Sequence, residues 1–174
     1  MSESILQEIQ SSVPLCNYHV NVSIGDLIHS IEQFEIDLNP EYQRGHVWSA
    51  EQERKFVGAM LENHKAIPPF WFNWTNKKFN RSDSEIVDGK QRITALLHWL
   101  AGDIIAECPC GISIHYSDLS EIDNRNVENY ILMDWNFVQL SRKDVMKFYL
   151  RLNSGGTIHN AEELDRVKKL IENE

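Results

Sequence analysis

Apolar residues recur along the chain at two spacings, and the changes between them mark out its elements. The residues from Ser84 to Leu100 show this best. Glu85-Ile86-Val87 predicts a short strand, Asp88-Gly89 interrupts it, and Ile93, Leu96, Leu97 and Leu100 then follow the i, i+3, i+4, i+7 rule of an amphipathic helix. Upstream, Ser4 to Val13 carries a sparse helical pattern through Ile5, Ile9 and Val13, and residues 1–17 are expected to be a loosely attached segment. Tyr18 to Val22 alternates as a strand. Ser23 with Asp26 predicts a capping box ahead of a helix through Ile24, Leu27, Ile28 and Ile31. Phe34 to Trp48 has no sustained period and predicts a loop.

Ser49 with Gln52 is a second capping box, opening a helix through Phe56, Val57, Met60 and Leu61 that stops near Asn63. Ile67-Pro68-Pro69 breaks the chain before a buried, aromatic strand from Phe70 to Trp74. The polar run from Thr75 to Asp83 is expected to turn the chain back. Beyond Gly102-Asp103, Ile104 to Tyr116 predicts a small hairpin around Cys108-Pro109-Cys110, and Ser120 to Tyr130 a short helix or turn. Tyr130 to Leu140 is apolar with no decisive period, so strand and irregular core segment both stand. Ser141 with Asp144 caps a helix through Val145, Phe148, Tyr149 and Leu152 that ends at Asn153-Ser154-Gly155-Gly156, and a last helix after Asn160 carries Leu164, Val167, Leu170 and Ile171.

A chain of 174 residues with 42% hydrophobic and 25% charged residues predicts one soluble domain, without repeats or low-complexity tracts. The formal net charge of −9 argues against non-specific nucleic-acid binding, which needs Lys and Arg to displace counterions. A local basic cleft stays open, with Arg44, Arg92, Lys77, Lys78 and Arg81 as candidates; the last three suit a solvated hairpin tip. The start, MSESILQEIQ, lacks the basic and apolar regions of a signal peptide, and no apolar run spans a bilayer. The expected location is cytoplasmic, in a bacterial host if the chain is virus-encoded, and no membrane partner is expected. Cys16, Cys108 and Cys110 are expected as reduced thiols, because one Cys-Pro-Cys supplies neither a zinc site nor an unstrained disulfide.

Chemistry gathers at two polar stretches. At Asp88-Gly89-Lys90-Gln91-Arg92, a strand runs into a helix whose first amides carry partial positive charge; Gly89 admits a close anion, Arg92 adds a cation, and Asp88 could take a metal or a hydroxyl proton. Asp-Gly also occurs in such turns for conformational reasons alone. The second stretch is Asn39-Pro40-Glu41-Tyr42-Gln43-Arg44. Arg44 is expected to touch ligand, whereas Tyr42 and Trp48 by themselves suit loop anchors. Trp71 or Trp74 could serve as a base-stacking platform, but an aromatic strand more often builds core.

Asn39 to Arg44 with Trp48, Ile67-Pro68, Val87 to Arg92, and Leu152 to Thr157 resemble, in order, the signatures of the amino-terminal domain of GmrSD-type restriction endonucleases, within the wider ParB and sulfiredoxin-like fold. The resemblance covers roughly Ser23 to Leu170. It implies a single-domain α+β fold, a small mixed sheet flanked by helices, and a nucleotide-handling role tied to DNA restriction, modification or phage defence. By position, Asp88, Arg92 and Arg44 become the implied catalytic residues. Tyr42, Gln43, Arg44, Gly89, Lys90, Gln91, Arg92 and Asn153 become the nucleotide ligands, with Asp88 toward Mg²⁺ carried by a nucleoside triphosphate. Many relatives carry Gln where Lys90 stands. Implied partners are a nucleotide and modified DNA or a separate nuclease or modification subunit. Larger members append an HNH nuclease, so cleavage by this chain alone is not expected. No Gly-x-x-x-x-Gly-Lys-Ser/Thr run is present, which excludes the usual P-loop; the readings that stand are an NTP hydrolase, a kinase-type phosphotransferase, a non-catalytic sensor that recruits or regulates a nuclease, or motifs that only brace the fold.

Overall fold

Alternation along the strands decides which layer each side chain joins. The structure is a computed structural model that describes residues 16–78, 81–153 and 161–173. The helix expected over Ser4–Val13 and the motif residues Ser154 to Thr157 lie outside them. Five strands, β1 (Tyr18–Ser23), β2 (Ile36–Asp37), β3 (Phe70–Lys78), β4 (Arg81–Asp88) and β7 (Leu132–Val138), form one mixed sheet in the order β1-β7-β3-β4-β2. β1 and β7 are antiparallel, β3 and β7 parallel, β3 and β4 antiparallel, and β2 and β4 parallel. A separate hairpin pairs β5 (Ala106–Glu107) with β6 (Ser113–Ile114), as the sequence predicts.

Six α-helices flank the sheet among the described residues: α1 (Leu27–Gln33), α2 (Ala50–Asn63), α3 (Lys90–Ala101), α4 (Glu121–Tyr130), α5 (Arg142–Asn153) and α6 (Ala161–Glu172). Phe70 and Phe72 of β3, Ile86 of β4 and Trp135 and Phe137 of β7 join one core with Val57 and Met60 of α2 and Ile93, Leu96 and Trp99 of α3. The odd-phase neighbours Trp71 and Val87, with Val138, join a smaller core on the other face with Tyr42, Val145, Met146, Phe148 and Tyr149 of α5 and Val167 of α6. The α6 stripe therefore packs at home.

The Ser49–Gln52 box forms with both reciprocal bonds, and α2 starts and stops where the spacing places it. Ser23 and Asp26 bond each other, but α1 begins at Leu27 rather than Ile24. The intervening amides are drawn sideways, Ile24 N–H to the Ile131 carbonyl and Gly25 N–H to that of Glu128. The polar run from Thr75 to Asp83 stays in the β3–β4 ladder as far as Lys78 and Arg81 instead of forming a long turn. Tyr130 to Leu140 resolves as strand: Met133, Trp135 and Phe137 are buried while Leu132 and Asp134 are exposed. At the other end of β1, Asn17 is tied to β7, donating to the Phe137 carbonyl at 2.8 Å.

Candidate functional site

The site begins with a break in the ladder. Trp71 pairs with Asp88 but Phe72 pairs with Ile86, so Val87 is an extra residue, a β-bulge at the end of β4. The Tyr42 hydroxyl donates to the Ile86 carbonyl at 3.1 Å, and the Gln43 amide donates to the carbonyls of Ile86 and Val87 at 3.1 and 2.8 Å. The bulge also re-aims Asp88 and leads into Gly89, which has φ +107 and begins α3. A side chain here is excluded twice, by the left-handed backbone and by the Phe70 ring 2.4 Å from where a Cβ would stand.

Gly89 offers no side-chain cap. The first rung of the ladder is Ile93 N–H to the Gly89 carbonyl, so the amides of Lys90, Gln91 and Arg92 precede it. By contrast Ser49 and Ser120 cap α2 and α4, and the Asp144 amide donates to Ser141 Oγ at the start of α5.

The side chains of the motif bind the protein as well as facing outward. Lys90 Nζ donates to the Arg44 carbonyl at 2.6 Å. Gln91 donates to the Gly45 carbonyl at 3.1 Å and accepts from the amides of Val47 and Trp48 at 2.9 and 3.3 Å. Arg92 binds Asp88 Oδ2 at 2.7 Å, donates to the carbonyls of Pro68 and Pro69, and lies 4.4 Å over the Phe70 ring. Burial pushes its guanidinium below the ordinary range, and the Asp88 carboxylate opposes that. Burial likewise pushes the Lys90 ammonium down; Lys90 is 7% exposed, with the Arg44 carbonyl its one hydrogen-bond acceptor among the described residues. An ammonium carries three donors.

These contacts frame a cleft of about 560 Å³ lined by Gln43, Arg44, Trp48, Pro68, Val87, the whole run Asp88 to Arg92, and Tyr149, Leu152 and Asn153 of α5. Three cations, Arg44, Lys90 and Arg92, face it with one acid, Asp88, in a chain of formal net charge −9. One wall is thus cationic and amide-rich, and the wall from α5 is largely apolar. Asn153 donates to the Tyr149 carbonyl at 2.8 Å, which leaves its amide oxygen as an acceptor.

Of the residues expected at the site, Gln43, Arg44, Asp88, Gly89, Lys90, Gln91, Arg92 and Asn153 are brought together in this one cleft. Tyr42 is not: it is fully buried behind the cleft, 5.3 Å from the Tyr149 ring, and burial raises its phenol far above the ordinary range. Trp71 packs edge-on against Phe148, and Trp74 stacks on Phe137, so both aromatic candidates build the sheet.

A resident metal finds few ligands. Asp88 is the cleft's single carboxylate, Arg92 holds its Oδ2, and no group of three or more His, Cys, Asp or Glu suited to a metal ion occurs among the described residues. The donor set suits only an ion held chiefly by a ligand's own oxygens, with Asp88 the one cleft carboxylate that could add a ligand.

Arg166 is a site residue that no sequence motif marks. From α6 it donates to three successive carbonyls of the upstream stretch, Glu41 at 2.7 Å, Tyr42 at 3.1 Å and Gln43 at 3.2 Å. Arg142 of α5 braces the same stretch, bridging Glu41 and Glu85 and lying 5.2 Å over the Tyr42 ring. On its own helix Arg166 is one exposed polar position among many, and no local signal marks it. No described helix is long and apolar enough to cross a membrane.

The model of the family described as GmrSD restriction endonuclease, N-terminal domain, matches residues 24–168. The α+β architecture with its mixed five-stranded sheet is consistent with the ParB-like fold. No curated protein and no solved structure matches the chain.

Proposed function

The chain belongs to the family of GmrSD restriction endonuclease N-terminal domains, and on that premise we propose that its cleft binds a nucleoside triphosphate in a DNA-restriction or phage-defence system. One observation carries the reading. A lysine 7% exposed, with donors to spare, sits beside an uncapped helix start on the cationic wall of an otherwise acidic protein. Such a wall is suited to phosphate: Arg44 and Lys90 supply charge, and the amides of Lys90 to Arg92 supply donors and the helix dipole. The opposite wall, with Tyr149, Leu152 and the Asn153 amide oxygen, suits a nucleoside. A Mg²⁺ ion arrives with the triphosphate, and Asp88 is its single protein ligand. The partner acting downstream is DNA or a separate nuclease or modification subunit.

Turnover is the second reading, favoured by Asp88, whose side chain is 35% exposed and whose Oδ1 is not the oxygen that Arg92 holds. In that reading Asp88 serves as the base and not as a metal ligand: water attacks the terminal phosphorus, the bridging P–O bond to the leaving diphosphate breaks, and the proton of the water passes to Asp88 Oδ1. Arg92 acts by holding Asp88 in place.

Equilibrium titration with ATP, GTP, CTP and UTP tests the first reading. At least one should bind with a Kd below about 1 mM, equivalent to about −4 kcal/mol, and binding should weaken with salt. Absence of binding by all of them overturns it. Phosphate release by the wild type but not by Asp88→Asn would support hydrolysis; tight binding without release leaves a sensor.

A further inference from the structure

The loop that presents Arg44 is held by side chains borrowed from three other elements. Lys90 of α3 takes the Arg44 carbonyl, and Gln91 takes the Gly45 carbonyl and the Val47 and Trp48 amides. From α2, Glu53 receives His46 Nε2 at 2.6 Å. Arg166 takes the carbonyls of Glu41, Tyr42 and Gln43. Neither α2 nor α6 contributes a described residue to the cleft lining, and of the two only α6 grips the backbone directly before Arg44. That helix docks through Val167, which is fully buried in the core shared with Tyr42 and Val87.

We infer that Arg166 is a positioning residue for the cleft: its guanidinium fixes the three peptide units before Arg44 and so sets where the Arg44 side chain meets the ligand. Three carbonyls gathered on one planar guanidinium leave that backbone little freedom to pivot, and a lysine's single ammonium cannot reproduce the fork. The two sites are then linked thermodynamically. A ligand that needs the ordered loop strengthens the docking of α6, and docking of α6 strengthens ligand binding by the same factor. The last helix therefore acts as a remote regulator of the cleft, and a partner that moved α6 would alter affinity without touching the ligand.

This inference rests on the nucleotide reading above, and one experiment separates them. The titrant is the nucleoside triphosphate that the wild type binds most tightly, with wild type, Arg166→Ala, Arg166→Lys and Val167→Ala compared well below their melting temperatures. Val167→Ala lowers the stability of the core beneath α6 while, well below the melting temperature, α6 stays docked and the clamp stays in place, which hydrogen exchange of the α6 amides checks. The expected result is a loss of about tenfold or more in affinity for Arg166→Ala and an intermediate loss for Arg166→Lys. Val167→Ala should lower the melting temperature with less than about twofold change in affinity. Hydrogen exchange supplies the second readout: triphosphate should slow exchange of α6 amides in the wild type and not in Arg166→Ala. Wild-type binding with unchanged affinity in Arg166→Ala, or a loss in Val167→Ala matching that in Arg166→Ala, overturns the inference alone. Absence of triphosphate binding by the wild type overturns the nucleotide reading and the inference with it.

Discussion

Replacing Gly89 by alanine should cost far more than adding one methyl group suggests. The new Cβ would stand 2.4 Å from Phe70 Cδ1, 3.1 Å from Phe70 Cε1 and 3.3 Å from an Arg92 nitrogen, on a backbone at φ +107. Holding a non-glycine residue in such a conformation costs about 1–3 kcal/mol. Displacing a core ring adds an overpacking cost of about 1–3 kcal/mol, and Phe70 has nowhere easy to go: it is fully buried, with Arg92 stacked on its face. The expected destabilisation is about 3–4 kcal/mol, which in a chain of this size lowers Tm by roughly 6–16 °C. Urea denaturation followed by tryptophan fluorescence measures it as a lower midpoint with an unchanged slope. Gly45→Ala is the control, because nothing stands within 4 Å of its added Cβ and its φ is not left-handed; that variant should be neutral or slightly more stable. A Gly89→Ala cost below about 1 kcal/mol would refute the reasoning.

Two further outcomes concern protons. Lys90→Gln should keep a hydrogen bond to the Arg44 carbonyl but lose charge at the cleft, weakening triphosphate binding. Because burial lowers the folded-state pKa of Lys90, the wild type should also take up protons on binding at alkaline pH, seen by calorimetry in two buffers of different ionisation enthalpy and absent from Lys90→Gln. Glu85 is 5% exposed, and burial raises its folded pKa despite hydrogen bonds from Asn73 and Arg142. Its proton is therefore favoured by folding, and this contribution to stability is lost as pH rises from about 4.3 through the folded value. The stability of the wild type relative to Glu85→Gln should fall across that window, measured by urea midpoints; a flat difference would count against the assignment.

Local features of the fold were legible because their causes are local. The Ser49–Gln52 box and the Gly102 stop each involve groups within one or two turns, and both appear where the spacing places them. Strand β7 was harder to recognise, since Ile131, Leu132 and Val138 blur an alternation that Met133, Trp135 and Phe137 in fact keep. At the cleft, the two motif stretches are joined as the sequence suggested, but by bonds between residues more than forty positions apart, such as Gln91 to Val47 and Gln43 to Val87. Periodicity carries no trace of them. The same holds for Arg166, whose partners lie 123 to 125 residues away. Tyr42 shows the reverse: a residue carried into the site by its motif neighbours packs behind the cleft, because its ring completes the smaller core.

The sheet order has a consequence for the way this chain can assemble. Among the described strands β1 pairs only with β7, and β7 is also the parallel neighbour of β3, so one strand late in the sequence joins β1 to the middle of the sheet. Until Leu132 to Val138 emerges during synthesis, Tyr18–Ser23 lacks the strand it pairs with among the described residues, and Phe70 and Phe72 lack their neighbours on one side. Hairpin β3–β4 and helices α2 and α3 can associate early, since their contacts are comparatively local, while closure of the β1–β7–β3 ladder waits on a loop of more than a hundred residues. A nascent chain stopped before Leu132 would hold a strand edge open to other chains.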